Sequence, residues 1–133
     1  MASVQIRYIV DDVDAALRFY CDKLSFTEVM HPAPSFAMLT RGELRLVLSA
    51  SSPNAGGGQA MPSGEQQKPG GWNRFAIEVE NLEEFVATLK KSGAHFRNEI
   101  VTGVGGKQIL LEDPSGNPIE LFQPTRQEAR LKQ

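Results

Sequence analysis

The chain of 133 residues has one cysteine, one tryptophan and two histidines. A lone thiol closes no internal disulfide, and no paired cysteine spacing offers a zinc site. Neither His31 nor His95 lies near Cys21 in the sequence, so no cysteine nucleophile with a neighbouring base can be assembled, and Cys21 reads as a packed thiol. Excess positive charge is also missing. The net charge is −2, which argues against nucleic acid as a partner, because binding to phosphates needs a clustered basic surface. The densest basic stretch, Arg126 to Lys132, is interrupted by Glu128 and reads as a solvated tail. Long apolar runs are absent too, including the one a signal peptide would need at the N-terminus. The expectation is a cytoplasmic protein with no membrane partner.

What the chain does have is a repeat. Phe75, Ile77 and Val79 alternate with Arg74, Ala76 and Glu78, the period of a half-buried strand. Ile6, Tyr8 and Val10 alternate in the same way with Gln5, Arg7 and Ile9. Leu82, Phe85, Val86 and Leu89 then fall on one helical stripe, and Val13, Ala16, Leu17 and Tyr20 copy that spacing. The offset between the copies is 69 residues for strand (Ile6, Phe75), cap (Asp12, Asn81) and helix (Val13, Leu82) alike. A shared offset across three features points to duplication of one unit.

Along the chain, the first strand ends near Val10, and Asp12 caps a helix that ends near Leu24. Short strands follow at Phe26 to Met30, Ser35 to Thr40 and Leu44 to Leu48, the first broken by His31-Pro32-Ala33-Pro34 and the last two joined by Arg41-Gly42-Glu43. The stretch 49–71 is rich in Ser, Gly, Pro and Gln and has almost no large apolar residue. That is the composition of a linker, read as a solvated tether, although its length also suits a lid. In the second copy Asn81 and Glu84 have the residue types of a capping box, with Glu84 able to reach back to the cap amide. Gly93 stops that helix. Strands follow at Ala94 to Asn98, Gln108 to Glu112 and Pro118 to Phe122. The glycine cluster around Gly103, Gly105 and Gly106 lacks the spacing of a phosphate loop and precedes a strand, which argues against phosphate binding there. The fold class is α+β, with two βαβββ modules at 3–48 and 72–124, a linker at 49–71 and a polar tail at 125–133.

The tandem βαβββ pattern, the run from Asp12 to Tyr20 and above all LLEDPSGNPIELFQP at Leu110 to Pro124 resemble the vicinal oxygen chelate superfamily. That superfamily includes glyoxalase I, bleomycin resistance proteins, extradiol dioxygenases and fosfomycin resistance enzymes. The resemblance covers Val4 to Pro124. It implies modules curled into an incomplete barrel around a cleft, commonly in a homodimer. In metal-dependent members it implies a His on the first strand of each module and a carboxylate on each last strand. Those positions fall here on Gln5, Arg74, Leu46 or Val47, and Glu120, so only Glu120 keeps a ligand. Arg74 places a guanidinium where a cation would sit, and an ion pair between Arg74 and Glu120 is the expected replacement.

With positions 5 and 74 facing inward, alternation adds Arg7, Ile9, Ala76, Glu78 and Phe122. The family's hairpin register adds Gln108 and Leu110, with Phe36 and Met38 as counterparts in the first module. Trp72 precedes the strand, where it can close the mouth. The candidate ligand-binding set is therefore Arg7, Phe36, Met38, Trp72, Arg74, Gln108, Leu110, Glu120 and Phe122, with no metal and no cofactor. No nucleophile, base and orienting group can be named together. The expected function, closest in character to the bleomycin resistance proteins, is sequestration of a small aromatic or amphipathic molecule by a homodimer, without bond chemistry. The alternative is a metal-dependent lyase, isomerase or dioxygenase that recruits its ion through Glu120 and further ligands. A third reading makes the dimer surface the functional part and the cleft a scaffold.

Overall fold

A computed structural model describes residues 4–125. The basic tail from Arg126 lies outside those residues. The chain is mixed α+β and divides into two compact units. One runs to Gly70 and takes in Pro114–Asn117; the other takes Gly71–Asp113 and resumes at Pro118. Among the described residues no helix is long and apolar enough to cross a membrane.

The first unit contains β1 (Ile6–Val10), α1 (Val13–Leu24), β2 (Thr27–Ala33), β3 (Phe36–Arg41) and β4 (Leu44–Ala50). Its sheet runs β1-β4-β3-β2. β1 is parallel to β4, and the other neighbours are antiparallel. Tyr8, Val10, Ala37, Leu39, Leu46 and Leu48 are buried on one face. So are Val13, Ala16, Phe19, Tyr20 and Leu24 of α1. Phe19 is buried and Leu17 only half-buried, a small correction to the expected stripe. The Tyr20 ring meets Phe26 edge-on at 5.3 Å, which draws the chain after α1 into the same core. The Asp12 carboxylate accepts from the Ala15 amide at 3.1 Å, as the cap signal indicated.

The break expected at His31 to Pro34 comes later, because β2 continues through Pro32 to Ala33. β2 is an edge strand, so a residue without an N–H removes no bond that the sheet requires. The disturbance appears instead as register shifts on either side of Met30.

The second unit contains β5 (Ala76–Glu78), α2 (Leu82–Lys91), β6 (His95–Phe96), β7 (Val101–Thr102), β8 (Gly106–Glu112) and β9 (Pro118–Pro124). The order is β5-β9-β8-β6, with β7 also on β8. The single strand expected at Ala94 to Asn98 is therefore a two-residue β6, and β7 is an additional short strand. Leu82, Val86 and Leu89 of α2 are buried, as are Ile77, Ile109, Leu111, Ile119 and Leu121 of the sheet. Each such side chain contributes roughly 1.5–3 kcal/mol relative to staying in water. At the cap of α2, the Glu84 amide donates to Asn81 Oδ1 at 3.1 Å. The Glu84 carboxylate accepts from the Asn81 side-chain amide at 3.2 Å rather than from the cap's backbone N–H. Phe75 and Val79 extend the ladder beyond β5: the Glu120 amide donates to the Phe75 carbonyl and the Val79 amide to the Phe122 carbonyl.

The segment expected as a solvated tether is mostly exposed, but its turn at 52–58 folds back within the first unit. Ala55 is fully buried. The amides of Ala55 and Gly58 donate to Ser52 and Ala55 carbonyls, and Gln67 Nε2 donates to the carbonyls of Gly57 and Gln59 at 2.9 Å. Small residues make this possible: a Cβ on Gly58 would collide with the Ala50 carbonyl oxygen. The Pro114–Asn117 turn also completes hydrogen bonds of the first unit. Asn117 Nδ2 donates to the Ile9 carbonyl at 2.8 Å, and Asn117 Oδ1 accepts from the Gly70 amide at 2.7 Å. Ser115 Oγ accepts from the Asp11 amide at 2.8 Å.

Asn117 is 4% exposed, so Asn117→Ala strands a part-buried backbone donor and acceptor. The expected loss is about 1–3 kcal/mol in urea unfolding. The exposed turn substitution Glu43→Ala should stay within about 0.5 kcal/mol of the parent.

Candidate functional site

In the second unit the register sets Ala76 beside Glu120 and Glu120 beside Leu110, and likewise Glu78, Phe122 and Gln108. Residues in register point to the same side of a sheet. These six therefore share the face opposite the buried Ile77, Ile109, Leu111, Ile119 and Leu121.

Arg74 reaches onto this face and meets Glu120. Its Nε and Nη2 donate to Glu120 Oε1 at 3.1 and 2.9 Å, and its Nη1 donates to the Trp72 carbonyl at 3.2 Å. Gln108 completes the cluster. With its amide nitrogen toward the carboxylate, the orientation that satisfies both groups, it donates to Glu120 Oε2 at 3.0 Å and Oε1 at 3.1 Å. Both carboxylate oxygens are thus engaged from within the unit. The Arg74 and Glu120 side chains keep 29% and 19% of their exposure, so solvent still screens the pair and its net worth is small.

A second pairing lies in the same unit. Arg97 Nε donates to Glu112 Oε2 at 2.8 Å, and its Nη1 donates to the Gly71 carbonyl at 2.6 Å. The guanidinium sits 4.7 Å from the centre of the Trp72 ring, within cation–π range. Trp72 itself is 69% exposed, held from one side by a clamped arginine. The sequence reading missed Arg97 and Glu112. Glu112 lies two residues beyond Leu110 on β8, so the same alternation reaches it; no sequence signal marks Arg97. His95 faces Glu112 in register and is exposed. His31 is half-buried in β2, with Nε2 3.2 Å from Asp14 Oδ1.

In the first unit Arg7 is in register with Val47 and Val47 with Met38, while Ile9, Ser49 and Phe36 form the next row. Arg7, Phe36 and Met38 therefore share the face opposite the α1 core. The folded-back segment lies against it: Ser49 Oγ donates to the Gly56 carbonyl at 2.9 Å. A Cβ on Gly56 would stand 3.8 Å from the Phe36 ring, and one on Gly57 would run into the Arg7 guanidinium. The candidate residues thus form two groups. Arg7, Phe36 and Met38 belong to the first unit; Trp72, Arg74, Gln108, Leu110, Glu120 and Phe122 belong to the second.

The donor set does not fit a catalytic divalent ion. Of the positions implied for metal-dependent relatives, Gln5 and Arg74 are not carboxylate or imidazole, Leu46 and Val47 are buried aliphatic residues, and Glu120 is held by a guanidinium. Among the described residues no group of three or more His, Cys, Asp and Glu could hold a metal. Burial first, then the carboxylates of Glu28 and Asp22, push the Cys21 thiol above its usual pKa. Such a thiol stays protonated and is a poor nucleophile.

Residues 3–121 match the profile of the Glyoxalase/Bleomycin resistance protein/Dioxygenase superfamily. The chain is 29% identical over 120 residues to the bleomycin resistance protein of Geobacillus stearothermophilus, covering 86% of this chain and 90% of that one. Its fold is similar to that of a glyoxalase/bleomycin resistance protein/dioxygenase superfamily member from Sphaerobacter thermophilus DSM 20745, with TM-score 0.73 and 24% identity over 92% of this chain and 98% of the other. It is also similar to TnmS3, an antibiotic binding protein from Streptomyces sp. CB03234, with TM-score 0.70 and 22% identity over 94% of this chain and 98% of that one.

A double-mutant cycle of Arg74→Ala and Glu120→Ala, read by denaturant unfolding, should give a coupling of about 0.2–1 kcal/mol, reflecting the pair's partial exposure. For Cys21, a raised pKa leaves less thiolate at any given pH. Iodoacetamide should therefore alkylate it more slowly at pH 8 than it alkylates glutathione, with the rate still rising above that pH; a rate equal to that of glutathione would contradict the assignment.

Proposed function

The chain belongs to the Glyoxalase/Bleomycin resistance protein/Dioxygenase superfamily, and on that footing we propose that it binds and sequesters a small aromatic or amphipathic molecule without metal. The observation that carries this reading is Arg74 on Glu120. A guanidinium stays protonated at any working pH, so the one retained ligand position is already neutralised by a fixed cation. The ion cannot take up that carboxylate without breaking both the ion pair and the Gln108 contact.

The remaining surface suits a largely apolar ligand with a few polar groups. Leu110 and Phe122 flank the Arg74, Glu120 and Gln108 cluster in register, and Trp72 offers an exposed ring. Arg7, Phe36 and Met38 are the contacts proposed for the first unit. The relative named a bleomycin resistance protein and the fold neighbour named an antibiotic binding protein accord with binding rather than turnover. A homodimer in the cytoplasm is part of the proposal, its assembly to be read by light scattering.

Elemental analysis of protein purified without a histidine tag separates this reading from a lyase, isomerase or dioxygenase. The expected outcome is no stoichiometric divalent ion; about one Zn, Ni, Mn or Fe per chain would overturn it. A bound hydrophobic ligand should change the emission of Trp72, the chain's one tryptophan. At a hundredfold excess over Kd it should raise Tm by on the order of 10 °C.

A further inference from the structure

The folded-back segment of the first unit presents its carbonyls and its amides unequally. The carbonyl of Gly56 accepts from Ser49 Oγ and that of Gly57 from Gln67 Nε2, each at 2.9 Å. The amides of Gly56 and Gly57 have no acceptor among the described residues. Gly57 adopts φ +78°, a left-handed turn. Successive free amides in a turn form a concavity that favours anions.

A cation stands beside them. Arg7 lies on the sheet face under this turn, close enough that Gly57 admits no Cβ. Arg7 is exposed, and among the described residues its side chain makes neither a hydrogen bond nor an ion pair. Arg74 and Arg97, by contrast, are both committed to carboxylates. Arg7 is therefore a guanidinium with its donors open, next to two open backbone donors and with no carboxylate paired to it. Phe36, whose ring touches Gly56, and Met38 extend the same face as apolar surface.

We propose that Arg7 with the Gly56 and Gly57 amides forms a subsite for an oxyanion, a carboxylate or phosphate group on the bound molecule, with Phe36 and Met38 beneath the apolar part. The forked guanidinium suits such a group because it can donate to two oxygens at once. This deepens the binding reading above, resting on it for the apolar part of the ligand, and it fixes the sign of the ligand's charge at this end. The glycines proposed to answer to an anion are thus Gly56 and Gly57 and not the cluster at 103–106.

The test is amide-resolved NMR of the full chain titrated separately with inorganic phosphate and with benzoate, against chloride at equal ionic strength. The Gly56 and Gly57 resonances should shift saturably with at least one of the two oxyanions and stay still with chloride. Which of the two binds more tightly tells phosphate from carboxylate. Arg7→Gln should weaken the response at least tenfold, and Arg7→Lys should retain part of it as a point charge. Amides that do not move with either oxyanion, or an Arg7→Gln titration matching the parent, would overturn the subsite. Because the readout sits at Gly56 and Gly57, a Trp72 emission response to hydrophobic ligands with still amides sinks the subsite alone. Silence at Trp72 with moving amides sinks the sequestration reading alone.

Discussion

Each strand of either sheet can bury only every second side chain against its one helix, and the positions in between must find another environment. Where those positions are aliphatic, as at Ile9 or Leu110, the cost is slight. Where they carry charge they need partners, because a half-desolvated ion without a counter-charge is expensive. In the second unit the partners come from the same face. Arg74 and Gln108 close around Glu120, and Arg97 closes on Glu112.

That neutralisation also limits what the face can do. A carboxylate whose oxygens accept from a guanidinium and an amide is neither a free base nor an open metal ligand. The family resemblance implies a metal-ligand role at the position of Glu120, yet here a guanidinium supplies the positive charge beside it. What is left available is shape, aromatic area at Trp72 and Phe122, and the outer faces of paired polar groups.

The first unit meets its hydrogen-bonding needs differently. Backbone groups at Ile9, Asp11 and Gly70 are completed by the Pro114–Asn117 turn. The turn at 55–58 folds onto the sheet through glycines that tolerate close backbone approach. The family-like DPSGN sequence is thus explained by backbone satisfaction, independent of any ligand. Arg7 and Arg45 are exposed charges on that face of the first unit, whereas Arg74 is matched to Glu120 and Arg97 to Glu112 within the second.

Much of this was readable in the residues. Alternation about Tyr8 and Ile77 determined which side of each sheet is buried, because a strand's period of two leaves no choice once one face is apolar. The same rule put Arg7 on the opposite side, the family resemblance supplied Glu120 with Gln108, and Phe122 followed from Glu120 by alternation; the helices at Val13 and Leu82 followed from their stripe and caps. Tertiary structure alone decided the rest. Arg97 joins Trp72 and Glu112 through a short strand with no periodic signal. β2 passes through Pro32 because it lies at an edge, and strand order is invisible in a local pattern. Most of the glycine-rich segment stays exposed, but its turn at Ala55 to Gly58 is held down by Ser49 and Gln67, contacts whose spacing along the chain composition does not encode.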